Sequence, residues 1–260
     1  MTPAWLAIFD GLIAIALVSA GIVSAHFGMT ASIIGFQIFL LGFFVSAVGL
    51  IIGIIAILVT WLSKSRRIAL SRAVFGTVLS AIVFLPVANV IAHTRRYPPI
   101  NDIATDVNNP PEFVHAQEQP ANQGHDMKYN PAKYAPIQQA APVYNDLAPF
   151  KSNMPPDDLF KKVEIIAGEV PGWQITYNDS KTRTLEGVAT SQLFRFKDDF
   201  VIRVQAAAPN GAGSIVEMRS KSRDGRGDLG VNYNRIKGFF GLLAGPAQDA
   251  GPPQSGGPAS

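Results

Sequence analysis

The chain has 260 residues, with 22 Lys and Arg against 19 Asp and Glu and no cysteine. The lack of cysteine excludes disulfides, thiolate metal sites and cysteine nucleophiles. The net charge of +3 is unevenly spread: Lys64, Arg66, Arg67, Arg72, Arg95 and Arg96 all precede Tyr97, which leaves 16 basic against 18 acidic side chains in residues 97–260, a balance that argues against a nucleic-acid-binding face.

Gly11 to Ser63 holds no Asp, Glu, Lys or Arg, and a second apolar run covers Val74 to Ala92. Bilayer hydrocarbon is about 30 Å thick, and a helix crosses it with about 20 apolar residues. The spacing predicts three spans, over about 4–25, 33–62 and 73–92, with a turn at Phe27-Gly28-Met29-Thr30. Met-Thr-Pro-Ala-Trp lacks the basic start of a signal peptide and the apolar run outlasts one, so the first span is expected to be retained. The 63–72 loop carries four Lys and Arg and no acid, whereas the first loop carries none. Positive loops stay cytoplasmic. The expected topology therefore has a cytoplasmic N-terminus and a periplasmic, extracytoplasmic C-terminal domain on a bacterial inner membrane; Arg95 and Arg96 weigh the other way.

Within the spans, Gly42, Ser46, Gly49 and Gly53 put small residues at helical spacing. They mark a face where another helix backbone approaches closely, with packing inside the chain the expected case. Asp10 reads as an interfacial acid reaching the headgroups, with an ion path as the sharper alternative. Pro86 removes one backbone hydrogen bond from span three, and Asn89 is placed to satisfy a freed group. His26 and His93 at two span ends read as unrelated interfacial side chains rather than as ligands to a metal or haem.

Residues 97–154 are punctuated by proline, which disfavours helix. The isolated Phe113, Tyr129, Tyr134, Ile137 and Tyr144 suggest a partly ordered, extended wrap around a domain. A helix is expected from Asp157 or Asp158, as cap, to about Ala167. Strands follow over 172–177, 184–190, 193–196, 200–207 and 214–220, with turns at Asn178-Asp179-Ser180, Lys197-Asp198-Asp199 and Pro209-Asn210-Gly211. A last helix runs over about 230–243. This order predicts an α+β soluble domain (97–244), an antiparallel sheet with flanking helices, behind a three-helix transmembrane module (1–96). The Gly- and Pro-rich 245–260 reads as a disordered tail.

The densest chemistry runs from Arg219 to Arg235. Arg219, Lys221, Arg223 and Arg226 surround a loop with Gly225, Gly227 and Gly230, and the next helix begins there with its positive dipole end. With Asp228, Asn232 and Arg235 they form a candidate site for a phosphate, sulfate or carboxylate. The competing interpretation is structural: Asp224 and Asp228 pair with nearby arginines, Asp228 caps the helix, and Arg235 reaches back across the loop. No Ser-His-Asp, Ser-Lys or HExxH set is present. The glycines do not open a βαβ unit, so a dinucleotide loop is rejected. His115 and His125, near Glu112, Glu118 and Asp126, read as surface side chains, and no cofactor or metal is expected.

Arg219-Ser220-Lys221-Ser222-Arg223, Gly225, Asp228-Leu229-Gly230, Asn232 and Arg235-Ile236 resemble the bacterial and plastid family known as domain of unknown function 1499. Pro98–Asp106, Asn109-Pro110-Pro111 with Phe113, Gly172-Trp173 and Phe196-Lys197-Asp198-Asp199 extend the likeness over 97–243. The resemblance implies that Pro98–Phe113 belongs to the domain, and it implies no activity. The leading expectation is a non-catalytic envelope protein whose domain binds a partner protein, a lipid or another anionic ligand. Against it stand an enzyme acting on an anionic envelope molecule through Arg219, Arg223 and Asp228, and a subunit of a membrane complex assembled through the Gly42–Gly53 face. Oligomeric state is not readable from the sequence.

Overall fold

The computed structural model describes residues 2–62, 67–207 and 213–245. Lys64, Arg66, the predicted Pro209-Asn210-Gly211 turn and the tail from 246 onward lie outside them. The described residues fall into two compact units, Met1–Tyr97 with Thr190–Lys197, and Pro98–Ala189 with Asp198–Ser260.

The first unit contains α1 (Pro3–His26), α2 (Ser32–Leu62) and α3 (Arg67–Thr94), each long and apolar enough to cross a membrane. Large aliphatic and aromatic side chains such as Leu12, Phe44, Ile51, Ile82 and Leu85 point outward, as expected where the surrounding solvent is lipid. The inside is lined by small residues. Gly42, Ser46, Gly49 and Gly53 are all buried, and a Cβ at Gly42 would come within 2.9 Å of the backbone of Ala14 and Val18 on α1. At Gly53 it would strike Thr77 of α3. The small-residue face of α2 therefore rests on the chain's own α1 and α3. The third helix begins earlier than expected, at Arg67, and so takes up part of the basic loop. Arg72 then lies with its guanidinium 4.8 Å over the Trp5 ring, a cation–π contact between the first turn of α1 and the second turn of α3. Pro86 sits inside α3, where the Asn89 carbonyl accepts a hydrogen bond from His93 Nδ1 at 2.8 Å.

The second unit begins with β1 (Asp102–Ala104), α4 (Pro131–Ala140), β2 (Phe150–Ser152) and α5 (Pro156–Glu169). Then come β3 (Trp173–Asp179), β4 (Thr184–Thr190), β5 (Lys197–Ala206), β6 (Ser214–Ser222) and α6 (Val231–Ala244). The strands form a six-stranded antiparallel sheet in the order β1-β6-β5-β4-β3, with β2 also on β6. The expected extended wrap over the Pro-rich segment is corrected at its helix alone. It supplies two short edge strands, and it forms a true helix over 131–140, because Pro131 occupies the first helical position and Asn130 caps it by accepting from Lys133 N, the arrangement in which proline costs least. The expected cap of α5 is corrected too: Pro155 holds that position, and Asp157 and Asp158 lie in the first turn, where the helix dipole favours acids.

The expected strand over 193–196 is absent. Residues 192–194 form a turn, Arg195 adopts φ +60°, and the two phenylalanines pack on α2 within the first unit instead of alternating in a sheet. Phe194 lies 5.3 Å from Phe36 and 5.2 Å from Phe39 between ring centroids.

Successive strand side chains face opposite ways, and the β5–β6 register sorts the core accordingly. Phe200↔Ser220, Ile202↔Met218 and Val204↔Val216 lie on one face; Asp199↔Lys221, Val201↔Arg219 and Arg203↔Glu217 lie on the other. The first face is covered by helix: Trp173 stands 4.1 Å from Phe200 and 5.4 Å from Phe239 of α6. The Pro-rich wrap covers the second, where Val201 packs with Phe113, Ala116 and Met127.

Candidate functional site

The same alternation divides the Arg219–Arg235 cluster. Arg219, Lys221 and Arg223 belong to the wrap face, whereas Ser220 and Ser222 belong to the helix face with Asn232 and Arg235. The sheet stands between them, so the basic residues do not converge on one cleft.

On the wrap face, Arg219 and Asp102 are fully buried and make a two-pronged pair, Nε to Oδ1 and a terminal nitrogen to Oδ2, both 2.8 Å. Arg219 also donates to the Met127 carbonyl at 2.9 Å. Its guanidinium lies between two aromatic faces, 4.7 Å from Phe113 and 5.2 Å from Tyr129. Lys221 adds a second cation on Asp102 Oδ2 at 3.2 Å and sits 5.5 Å from the Tyr134 ring. One carboxylate thus serves two cations, and three ring faces spread the remaining positive charge. Burial, with the Asp102 charge beside it, pushes the Tyr129 phenol up to about 12, so Tyr129 stays neutral here. Each partner comes from a different stretch of sequence: Asp102 from the opening motif, Phe113 and Tyr129 from the wrap, and Arg219 from the last strand.

The outer end of the cluster is held the same way. Arg223 grips Asp199 with two 2.7 Å bonds, which hold its guanidinium even more firmly charged than usual. On the helix face Arg235 pairs with Asp198 and Asn232 and donates to Ser220 Oγ at 2.8 Å. Asn232 is fully buried and donates from Nδ2 to Ser222 Oγ at 3.0 Å. Asp228 accepts from the Gly230 and Asn232 amides at 2.9 and 2.8 Å. It does the work of a helix cap although Gly230, in the left-handed region at φ +85°, holds the cap position. Burial raises the Asp228 carboxyl above the usual range, an effect partly offset by those two amides.

The loop is braced from below by the opening motif. Asn101 donates to the carbonyls of Gly225 and Ser222 at 2.9 and 3.3 Å. A Cβ at Gly227 would fall 2.9 Å from Pro99 Cα. Arg226, Leu229 and Val231 remain exposed. Among the described residues Arg226 has no ion pair or side-chain hydrogen bond, and Leu229 holds the left-handed φ of +55°.

Two anchors escape sequence reasoning. Glu186, a buried acid in the apolar strand Thr-Leu-Glu-Gly-Val-Ala-Thr, accepts from the backbone amides of Val114, His115 and Ala116, the last at 2.7 Å. Gln138 of α4 pairs its side-chain amide with both backbone groups of Ala104, closing the free edge of β1. A lone acid in an apolar strand was the available signal for the first; nothing local marks the second.

In the helical unit, Asp10 is half-buried on α1. Its Oδ2 and the Ser80 hydroxyl are buried, and both lie against Gly49. Among the described residues no three His, Cys, Asp or Glu gather as a metal set. His115 stacks on Tyr177 with centroids 5.8 Å apart.

No curated protein matches the chain. The family described as "Protein of unknown function (DUF1499)" matches residues 102–243, from Asp102 of the buried pair to Leu243 at the end of α6. The shared region is therefore the frame just described, and the chain belongs to the DUF1499 family, with three candidate membrane helices ahead of the matched domain.

Proposed function

We propose that this is a membrane-anchored, non-catalytic binding protein whose domain lies outside the cytoplasmic membrane of a bacterium. It presents the rim of the 223–231 loop to a partner protein, a lipid or another anionic ligand. The observation that carries this reading is the internal pairing of the charged cluster: Arg219, Lys221, Arg223 and Arg235 are each bound to an acid of the same domain. Groups committed in this way serve as a rigid frame. What the frame holds outward is Arg226 with Leu229 and Val231, a cation beside two aliphatic side chains that are 53% and 45% exposed. A bulky residue held at positive φ costs of order 1 kcal/mol or more, and such outliers gather where function requires them.

The test is affinity purification of the full chain from membranes, with co-purifying proteins and lipids identified. Arg226→Glu and Leu229→Gly are both expected to fold as the parent does, because the first is exposed and the second relieves the positive φ. Each is expected to lower recovery of the bound species at least fivefold. Undiminished recovery with both variants would remove the loop from the binding surface.

A further inference from the structure

The β4–β5 connection gives the helical unit a feature that the 223–231 loop does not explain. Residues 190–197 belong to that unit. Their backbone closes on itself: the Ser191 amide donates to the Phe196 carbonyl at 2.8 Å, and the Phe196 amide donates to Ser191 Oγ at 2.9 Å. His26, the last residue of α1, donates from Nδ1 to the Gln192 carbonyl at 3.0 Å. Phe194 and Phe196 then lie edge-on to Phe36 at 5.3 and 5.8 Å, and Phe194 also to Phe39 at 5.2 Å. Phe36 and Phe39 are four and seven residues into α2. At 1.5 Å per residue these positions are about 6 and 10 Å below its first residue, the depth at which amphipathic segments settle at the boundary between headgroups and acyl chains.

The rest of the connection suits the same place. Leu193 is 57% exposed, and in the α1–α2 turn Phe27 and Met29 are 72% and 65% exposed. Such side chains are poorly placed in water and well placed in lipid. Arg195 and Lys197 are exposed as well, and neither has an ion pair or side-chain hydrogen bond among the described residues. The adjacent acids do not neutralise them, because Asp198 is taken by Arg235 and Asp199 by Arg223.

We propose that residues 190–197 form a lipid-binding finger: Leu193 enters the acyl boundary beside α2, while Arg195 and Lys197 take the phosphate of an anionic lipid. A basic residue near an anionic leaflet strengthens binding by roughly fivefold, and arginine offers phosphate a two-pronged contact. This finger is separate from the 223–231 rim, and either can fail alone.

The cysteine-free chain allows a single nitroxide label. The full chain carrying Leu193→Cys, and a control carrying Asn234→Cys on the exposed side of α6, are placed in nanodiscs of equal phosphatidylcholine and phosphatidylglycerol. The label at 193 is expected to collide readily with oxygen and poorly with an aqueous nickel chelate, and the label at 234 to do the reverse. Aqueous behaviour at 193 overturns the insertion; shielding from both reagents overturns it in favour of a protein contact. Native mass spectrometry of unlabelled chain is expected to show retained phosphatidylglycerol, reduced at least tenfold by Arg195→Gln with Lys197→Gln. Equal retention with both cations removed overturns the headgroup assignment. Both side chains are exposed, so folding is not at stake in that variant.

Discussion

Arg219 is the residue around which the domain is closed. Its guanidinium is completely buried, shares Asp102 with Lys221, and is covered by Phe113 and Tyr129. Removing one member of a buried ion pair costs about 3–5 kcal/mol, because the other charge is left in a poorly solvating interior. The three charges are not equivalent. Asp102→Asn leaves two cations facing a neutral amide, whereas Lys221→Met leaves the two-pronged Arg219–Asp102 pair intact and removes surplus positive charge. Thermal unfolding of the domain is therefore expected to fall by roughly 10 °C in Asp102→Asn and by much less in Lys221→Met; equal losses would show that the pair does not carry the closure. The sequence displayed both motifs that supply these residues, but not that they bind each other. Asp102 and Arg219 are far apart along the chain, and only the β1–β6 register brings them together. For the same reason the cluster looked like an anion site: a run of basic residues in sequence conceals the acids that neutralise it from other strands.

At the scale of elements, periodicity was most informative where each helix or strand has one environment along its length. The apolar spans, α5 and β4 were readable because their burial pattern repeats. The 193–196 segment looked like a strand because it combines Leu193, Phe194 and Phe196, yet the two phenylalanines pack on α2, a competition that no local pattern reports. Proline misled in the other direction over 131–140, where its placement at the first helical position and an Asn130 cap allow a helix. The face of α2 gives the sharpest element-level prediction. A Cβ at Gly49 would collide with Asp10 Oδ2 and Ser80 Oγ, so Gly49→Ala is expected to lower the thermal stability of the detergent-solubilised chain. Gly238 of α6 has nothing within 4 Å of the corresponding position, and there Gly→Ala is expected to raise helix stability by about 1 kcal/mol. Circular dichroism melts of the two variants, moving in opposite directions, would check the packing; parallel shifts would contradict it.

At the scale of the whole molecule, three candidate membrane helices precede the family domain. The proposed orientation rests on the loop charges, four Lys and Arg in 63–72 against none in 27–31. A phosphatase reporter fused after Gly245 is expected to be active, and a cytoplasmic fluorescent reporter at the same point dark. A bright cytoplasmic fusion would reverse the topology and place the rim of the 223–231 loop inside the cell. Sequence by itself determined the membrane helices, the α+β class and the family, because each follows from local composition, short-period patterning or motifs read in order. The fate of the charged cluster, the double coverage of the sheet and the packing of Phe194 and Phe196 on α2 were decided only by the tertiary structure. Those features depend on which distant residues share a strand register or a helix face, and on side chains whose charges are cancelled, or left uncancelled, by partners far away in the chain.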